Sequence, residues 1–198
     1  MTWAELVAVV RADLRRYDAR ADGRAFRAHF RKTPGFRFTV IWRWCVYLGT
    51  HRALRALFGL PSLWLLGRYT YRYGISIPLE TRIGPGLYIG HFGGICVNEH
   101  AVLGACCNIN QDVTIGKHNR GERKGCPTLG DRVYVAPGAR IFGGIRIGND
   151  VAIGANAVVT RDLPDHAVAV GIPARVISMA GAAGYIRDPE TGGTDEAI

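Results

Sequence analysis

From Leu129 onward an aliphatic residue returns every six positions, at Leu129, Val135, Ile141, Ile147, Ile153 and Val159. Glycine follows the beat at Gly130, Gly148 and Gly154, and a small or aliphatic residue lies four positions after each beat, from Val133 to Leu163. The same beat runs earlier through Ile83, Ile89 and Ile95, slips by two residues, and resumes at Val97, Leu103, Ile109 and Ile115. A period of six does not fit the helical period of about 3.6. It fits a short strand and a tight turn repeated as one face of a coil, with three faces to the coil. Each aliphatic then points into a narrow prism, and no coil buries its apolar face until the next one stacks on it. Corners such as Gly148-Asn149-Asp150 carry residues that suit turns. The expected fold is mainly β, a left-handed parallel β-helix of hexapeptide repeats with an α-helical N-terminal segment.

Two features interrupt the beat. One is the slip around Ile95–Val97. The other is the interval from Ile115 to Leu129, fourteen residues long, which contains KHNRGERKGCPT. That stretch is polar, basic and glycine-containing, and reads as a loop extruded from the prism. Extruded loops on a rigid scaffold are common places for function.

Three regions are expected: a helical, basic and aromatic segment over 1–74, the β-helix over 75–180, and a mobile, acidic tail over 181–198. In the first, Glu5 to about Arg20 and then Gly23 to Arg31 have helical spacing. Phe38 to about Gly67 is apolar and aromatic, broken by Gly59 and Pro61. Between Gly23 and Leu79 there are ten arginines and lysines and no acid, against a net charge of +9 for the whole chain. The longest uncharged run in that span, Ala56 to Gly67, has twelve residues, short of the roughly 20 that cross a bilayer. Its tryptophans, tyrosine and arginines suit either a bundle packed on the β-helix or another subunit, or a segment lying on a membrane surface; both readings stay open. No nucleic-acid module is visible. The five cysteines are odd in number and form no C-x-x-C pair, so reduced thiols and no metal site are expected. The N-terminus does not read as a secretory signal, and the expected location is the cytoplasm, at or near the inner face of the membrane.

The segment IGPGLYIGHFGGICVNEHAVLG, the motif INQDVTIG and the ending VGIPARVI, set in this beat, resemble the serine acetyltransferase branch of the hexapeptide-repeat acyltransferases. The resemblance covers about Ser76 to Ile177. It implies an acetyl-CoA-dependent O-acetyltransferase, a homotrimer, and active sites between adjacent β-helices with acetyl-CoA lying along the groove. It places the general base at His91 and a catalytic glutamate at Glu99. Small residues at Ala136, Gly143, Gly144 and Ala155 would leave room for the pantetheine arm. Arg175 would meet the phosphates of CoA, and Arg120, Arg123 and Lys124 either those or an anionic glycan. Acceptor contacts would come from Ser76, Gly90, Asn98, His118, Arg120 and Cys126.

The chemistry is consistent with this. A hydroxyl is a poor nucleophile until a base takes its proton, and imidazole does so near neutrality. The thioester is already activated, so no metal is needed. Three positions depart from the serine enzymes' pattern: Gly90 and Ser76 stand where aspartates are expected, and Cys126 lies in Gly125-Cys126-Pro127, where an arginine-histidine-proline run binds the amino acid. A site without charged partners holds a zwitterion poorly. A hydroxyl on a sugar of a polysaccharide or lipid-linked glycan is therefore the expected acceptor. Serine is the alternative, and a non-catalytic hexapeptide scaffold a further one.

Overall fold

The computed structural model describes residues 1–186. Among them four helices come first: α1 (Trp3–Arg15), α2 (Gly23–Lys32), α3 (Pro34–Gly49) and α4 (Arg52–Tyr73). Short strands follow in chain order: β1 (Ile75–Ser76), β2 (Arg82–Ile83), β3 (Tyr88–Ile89), β4 (Ile95–Val97), β5 (Val102–Leu103), β6 (Asn108–Ile109), β7 (Thr114–Gly116) and β8 (Thr128–Leu129). The later coils hold β9 (Tyr134–Val135), β10 (Arg140–Phe142), β11 (Arg146–Ile147), β12 (Ala152–Ile153), β13 (Val158–Val159), β14 (Val168–Val170) and β15 (Arg175–Ser178).

Strands pair in parallel, every third one through β13 and then β12 with β14, which gives three faces: β1-β4-β7-β10-β13 (face A), β2-β5-β8-β11 (face B) and β3-β6-β9-β12-β14 (face C). This is the left-handed parallel β-helix expected from the repeat. Antiparallel β15 folds back on β14 and ends it.

The repeating aliphatics form three interior ladders. Val97, Ile115, Ile141 and Val159 stack behind face A. Ile83, Leu103, Leu129 and Ile147 stack behind face B. Ile89, Ile109, Val135, Ile153 and Ala169 stack behind face C. Nearly all of these side chains are buried, and burying one is worth about 1.5–3 kcal/mol. No coil keeps that stabilisation without its neighbour.

Register shows what interrupts the beat. Arg140 lies opposite Val158, eighteen positions on, but Ser76 lies opposite Cys96, twenty positions on. Thr114 lies opposite Arg140, twenty-six positions on. One coil therefore carries two extra residues, and a later one eight. Ile89 pairs with Ile109 and Cys96 with Thr114, and Asp112 donates to the Gly93 carbonyl at 2.8 Å. The two surplus residues thus fall within Gly90–Gly93. The eight fall between Gly116 and Thr128, where His118 and Gly125 pair antiparallel. Gly94 and Asp112 meet on the left-handed side of the backbone map, at φ 65° and 58°, and a Cβ at Gly94 would collide with the Asp112 side chain.

The helices depart from the sequence expectation in two places. α1 begins with a capping box between Thr2 and Glu5 and stops at Arg15, short of Arg20. The chain turns there because Arg16 and Tyr17 reach face C: Arg16 Nη2 donates to Asn108 Oδ1 at 2.6 Å, and the Ile89 amide donates to the Tyr17 hydroxyl at 2.9 Å. The apolar stretch breaks at Thr50-His51, not at Gly59 and Pro61, which lie inside α4. Pro61 is exposed, so the carbonyl it cannot serve one turn back is on the solvent side.

α1 and α3 are fixed to the first coil by Asp13 and Arg43. Arg43 Nε donates to Asp13 Oδ2 at 3.0 Å, and Arg43 Nη1 and Nη2 donate to the carbonyls of Ile83 and Gly84 at 2.8 and 2.6 Å. Asp13 Oδ1 accepts from the amides of Gly86 and Leu87. Burial pushes the Asp13 carboxyl up; Arg43 and the two amides pull it back, and the balance is upward.

The first residues of the expected tail, 181–186, are described. Ala182 is buried, its amide donates to Asp150 O, and the Tyr185 ring stacks on Tyr134 at 4.7 Å. The start of the expected tail thus touches the β-helix through Ala182 and Tyr185, while 183–185 stay exposed. The rest of that tail, 187–198, lies outside the described residues.

Candidate active site

Face A is bounded by the two insertions. His91 and Phe92 project from the edge between faces C and A, where β3 passes to β4. The 117–127 hairpin projects from the edge between faces A and B, where β7 passes to β8. Along the face, alternate residues point outward. Ser76, Cys96, Thr114, Arg140 and Val158 form one row.

His91 is exposed, and among the described residues it forms no hydrogen bond or ion pair. Its neighbour Phe92 lies edge-on to Tyr73, at 5.6 Å between ring centroids. The Tyr73 hydroxyl accepts from Arg37 Nη1 at 2.8 Å. The end of α4 thus supports the insertion that carries His91. Gly90 sits against Tyr88: a Cβ there would lie 3.0 Å from Tyr88 Cε1 and 3.3 Å from Asn110 Oδ1. Tyr88 in turn packs on Tyr17 at 4.5 Å. A side chain at this position would press on the Tyr88 ring, which would have to give by a few tenths of an ångström.

Ser76, Cys96, Asn98, Glu99, Thr114 and Gly116 line a shallow depression of about 290 Å³ on face A. Asn98 Oδ1 accepts from the Cys126 thiol at 3.0 Å and from the His100 amide at 3.0 Å, which ties the base of the hairpin to the end of β4. No hydrogen bond or ion pair joins Glu99 to His91 among the described residues. The Glu99 carboxylate faces His100 Nε2 at 3.4 Å, and Glu99 and His91 flank β4 from opposite ends. Burial pushes the Cys126 thiol up, while Lys117 lowers it and Glu99 raises it. An ammonium and a carboxylate therefore lie within electrostatic reach of one thiol.

Farther along face A, His118, Arg120 and Arg123 of the hairpin enclose a second hollow of about 490 Å³ with Phe142 and Thr160. Arg123 Nη1 donates to the Thr160 carbonyl at 3.2 Å. Gly143 and Gly144 pass directly under the hairpin, and a Cβ at Gly144 would lie 2.8 Å from the Lys124 carbonyl. Ala136 and Ala155 lie on the same edge as His91, in later coils, below Gly90 and Gly93. Arg175 opens β15, exposed, and donates to the Ala174 carbonyl. The candidate residues thus fall on one face and its two edges. Glu99 is separated from His91, and Arg175 stands at the far end of the coil stack. Cys96, Thr114, Lys117, Phe142 and Thr160 also belong to this face. Their signal in the sequence is position: the first two lie one residue before the beat at Val97 and Ile115, and Phe142 and Thr160 one residue after it at Ile141 and Val159. Among the described residues no group of three or more histidines, cysteines or acids is placed to hold a metal ion.

No family model matches the chain. A serine acetyltransferase of Synechococcus elongatus is 43% identical over 150 residues, which cover 75% of this chain and 59% of that protein. The chain thus spans about three fifths of the length of the curated relatives it matches. Among solved structures, a soybean serine acetyltransferase complexed with serine is 31% identical with a TM-score of 0.71, covering 88% of this chain and 70% of that one. A serine acetyltransferase in complex with CoA gives a TM-score of 0.71 at 27% identity, covering 88% of this chain and 71% of that one.

Proposed function

The chain belongs to the hexapeptide-repeat acyltransferase family, and we propose that it transfers an acetyl group from acetyl-CoA to the hydroxyl of a small acceptor, with L-serine the acceptor best supported. The observation that carries the reading is the position of His91, pushed out of the prism by a two-residue insertion at the edge of face A. From there an imidazole takes the proton of an acceptor hydroxyl held over the face. The hydroxyl oxygen attacks the thioester carbonyl, the tetrahedral intermediate collapses, and the CoA thiolate leaves with the proton that His91 returns. Acetyl-CoA would extend along face A under the hairpin. Arg120, Arg123 and Lys124 supply positive charge for its phosphates, and Gly143 and Gly144 keep the passage beneath the loop narrow. The depression at Ser76 is open, and a second copy of the chain would supply its missing wall, as in the trimer that the family resemblance implies.

The glycan acceptor expected from the sequence gains no support from the comparisons, whose relatives are serine acetyltransferases, one of them complexed with serine. Ser76, Gly90 and Cys126 carry no charge to hold the ammonium and carboxylate of serine. Glu99 and Lys117, both within electrostatic reach of Cys126, offer that pair of charges from other positions. A carboxylate for the ammonium and an ammonium for the carboxylate would hold a free amino acid. The test is direct assay of O-acetylserine from L-serine and acetyl-CoA, beside a parallel assay with cell-envelope glycan. Product from serine, lost in Glu99→Gln through a raised KM, supports the reading. Transfer to glycan alone overturns the acceptor assignment.

A further inference from the structure

We infer that the outer face of α4 docks the protein on an anionic phospholipid surface. α4 turns Gly59, Leu66 and Tyr73 inward, and its Ser62 accepts a hydrogen bond from Trp44 Nε1 of α3 at 2.9 Å. The opposite face has no partner among the described residues. Leu57 and Trp64 are each 69% exposed, Leu60 84% and Tyr71 89%. Their spacing of three, four and seven places them in one stripe along the helix. Exposure of large apolar side chains in a contiguous row marks a contact surface.

Charge selects the occupant. By helical spacing Arg68 and Arg72 flank the stripe on one side, and both are exposed; Arg52 and Arg55 are exposed in the first turn of the same helix. No acid occurs between Gly23 and Leu79, and among the described residues none of these arginines forms an ion pair. Trp64, Gly67, Arg68, Tyr71 and Arg72 surround a notch that is open because position 67 is glycine. Two guanidiniums beside two amphipathic rings match the boundary between phosphate headgroups and acyl chains. A second copy of the chain fits less well, since a two-fold contact through this stripe would set arginines against arginines. The helix lies on the surface and does not cross it: no helix among the described residues is long and apolar enough to span a membrane. Docking of this kind does not depend on the acetyl-transfer reading.

The experiment is flotation of the full chain with vesicles of phosphatidylcholine alone and of phosphatidylcholine mixed with phosphatidylglycerol. The comparison is between wild type, Leu60→Ser with Trp64→Ser, and Arg68→Gln with Arg72→Gln. The substituted positions are exposed, and thermal unfolding of each variant confirms that the fold is intact. Expected are binding to the anionic vesicles, little to the neutral ones, loss of binding in high salt, and a fall of about tenfold or more in either variant. Equal binding to both vesicle types, no binding at all, or undiminished binding by both variants overturns the inference. Sedimentation velocity supplies the other arm: if Leu60→Ser with Trp64→Ser breaks the protein into smaller assemblies, the stripe is a contact between copies and the lipid assignment is wrong.

Discussion

Phe92 packs edge-on against Tyr73, so the last turn of α4 holds the insertion that presents His91. Phe92→Ala removes that support without touching the imidazole. It is expected to lower kcat about tenfold to a hundredfold with little change in KM for acetyl-CoA, because small misplacements of a reacting group are costly. Steady-state kinetics, with the thermal midpoint measured alongside, separate misplacement from unfolding.

Arg43→Leu leaves the Asp13 carboxyl buried against two backbone amides with no cation. The expected loss is about 3–5 kcal/mol, read from the midpoint of a denaturant titration. The helices should loosen from the first coil while the later coils persist. Hydrogen exchange would then show early loss of protection at Gly86 and Leu87, whose amides Asp13 accepts.

Ile109 is buried between Ile89 and Val135 in the face C ladder. Ile109→Ala should cost about 2–5 kcal/mol. A substitution one position out of the beat, such as Thr114→Ala on the outward row, should cost much less. Equal losses at the two positions would contradict the assignment of inward and outward faces.

Thiol chemistry offers a probe of face A. Burial pushes Cys107 up to about 12 and Cys45 up to about 11, so at mildly alkaline pH both remain protonated as well as inaccessible. Cys96 is exposed in the row beside Ser76 and Thr114. Iodoacetamide is expected to label Cys96 and spare Cys45 and Cys107, and ligands that occupy face A should slow the labelling. Peptide mass spectrometry with and without acetyl-CoA and serine reads both effects.

Both interruptions of the repeat were legible, because a period of six makes any insertion visible as a slip. The slip before Val97 is the His91 insertion, and the long interval before Leu129 is the hairpin. Pairings across the fold were not legible. Arg43 counted toward an unopposed basic segment, yet its partner Asp13 comes from a helix that precedes that segment. Glu99 stands eight residues from His91, but β4 separates them and His100 is its partner. Gly90 sits tightly against Tyr88, whose ring packs on Tyr17 of the helical segment, a contact between a coil and a helix that no spacing encodes. The split of the apolar stretch at Thr50-His51 was hidden by Gly59 and Pro61, stronger breakers that α4 tolerates on its interior-packed and solvent sides respectively.

Transfer of labelled acetyl from acetyl-CoA to L-serine, in wild type and in His91→Ala, bears on the assignment of His91 as the base. Wild type is expected to form O-acetylserine, and His91→Ala to lose at least about a hundredfold in kcat while still binding CoA in calorimetry. Undiminished transfer by a folded His91→Ala variant would remove the base from the mechanism, and with it the functional reading of the insertion at face A.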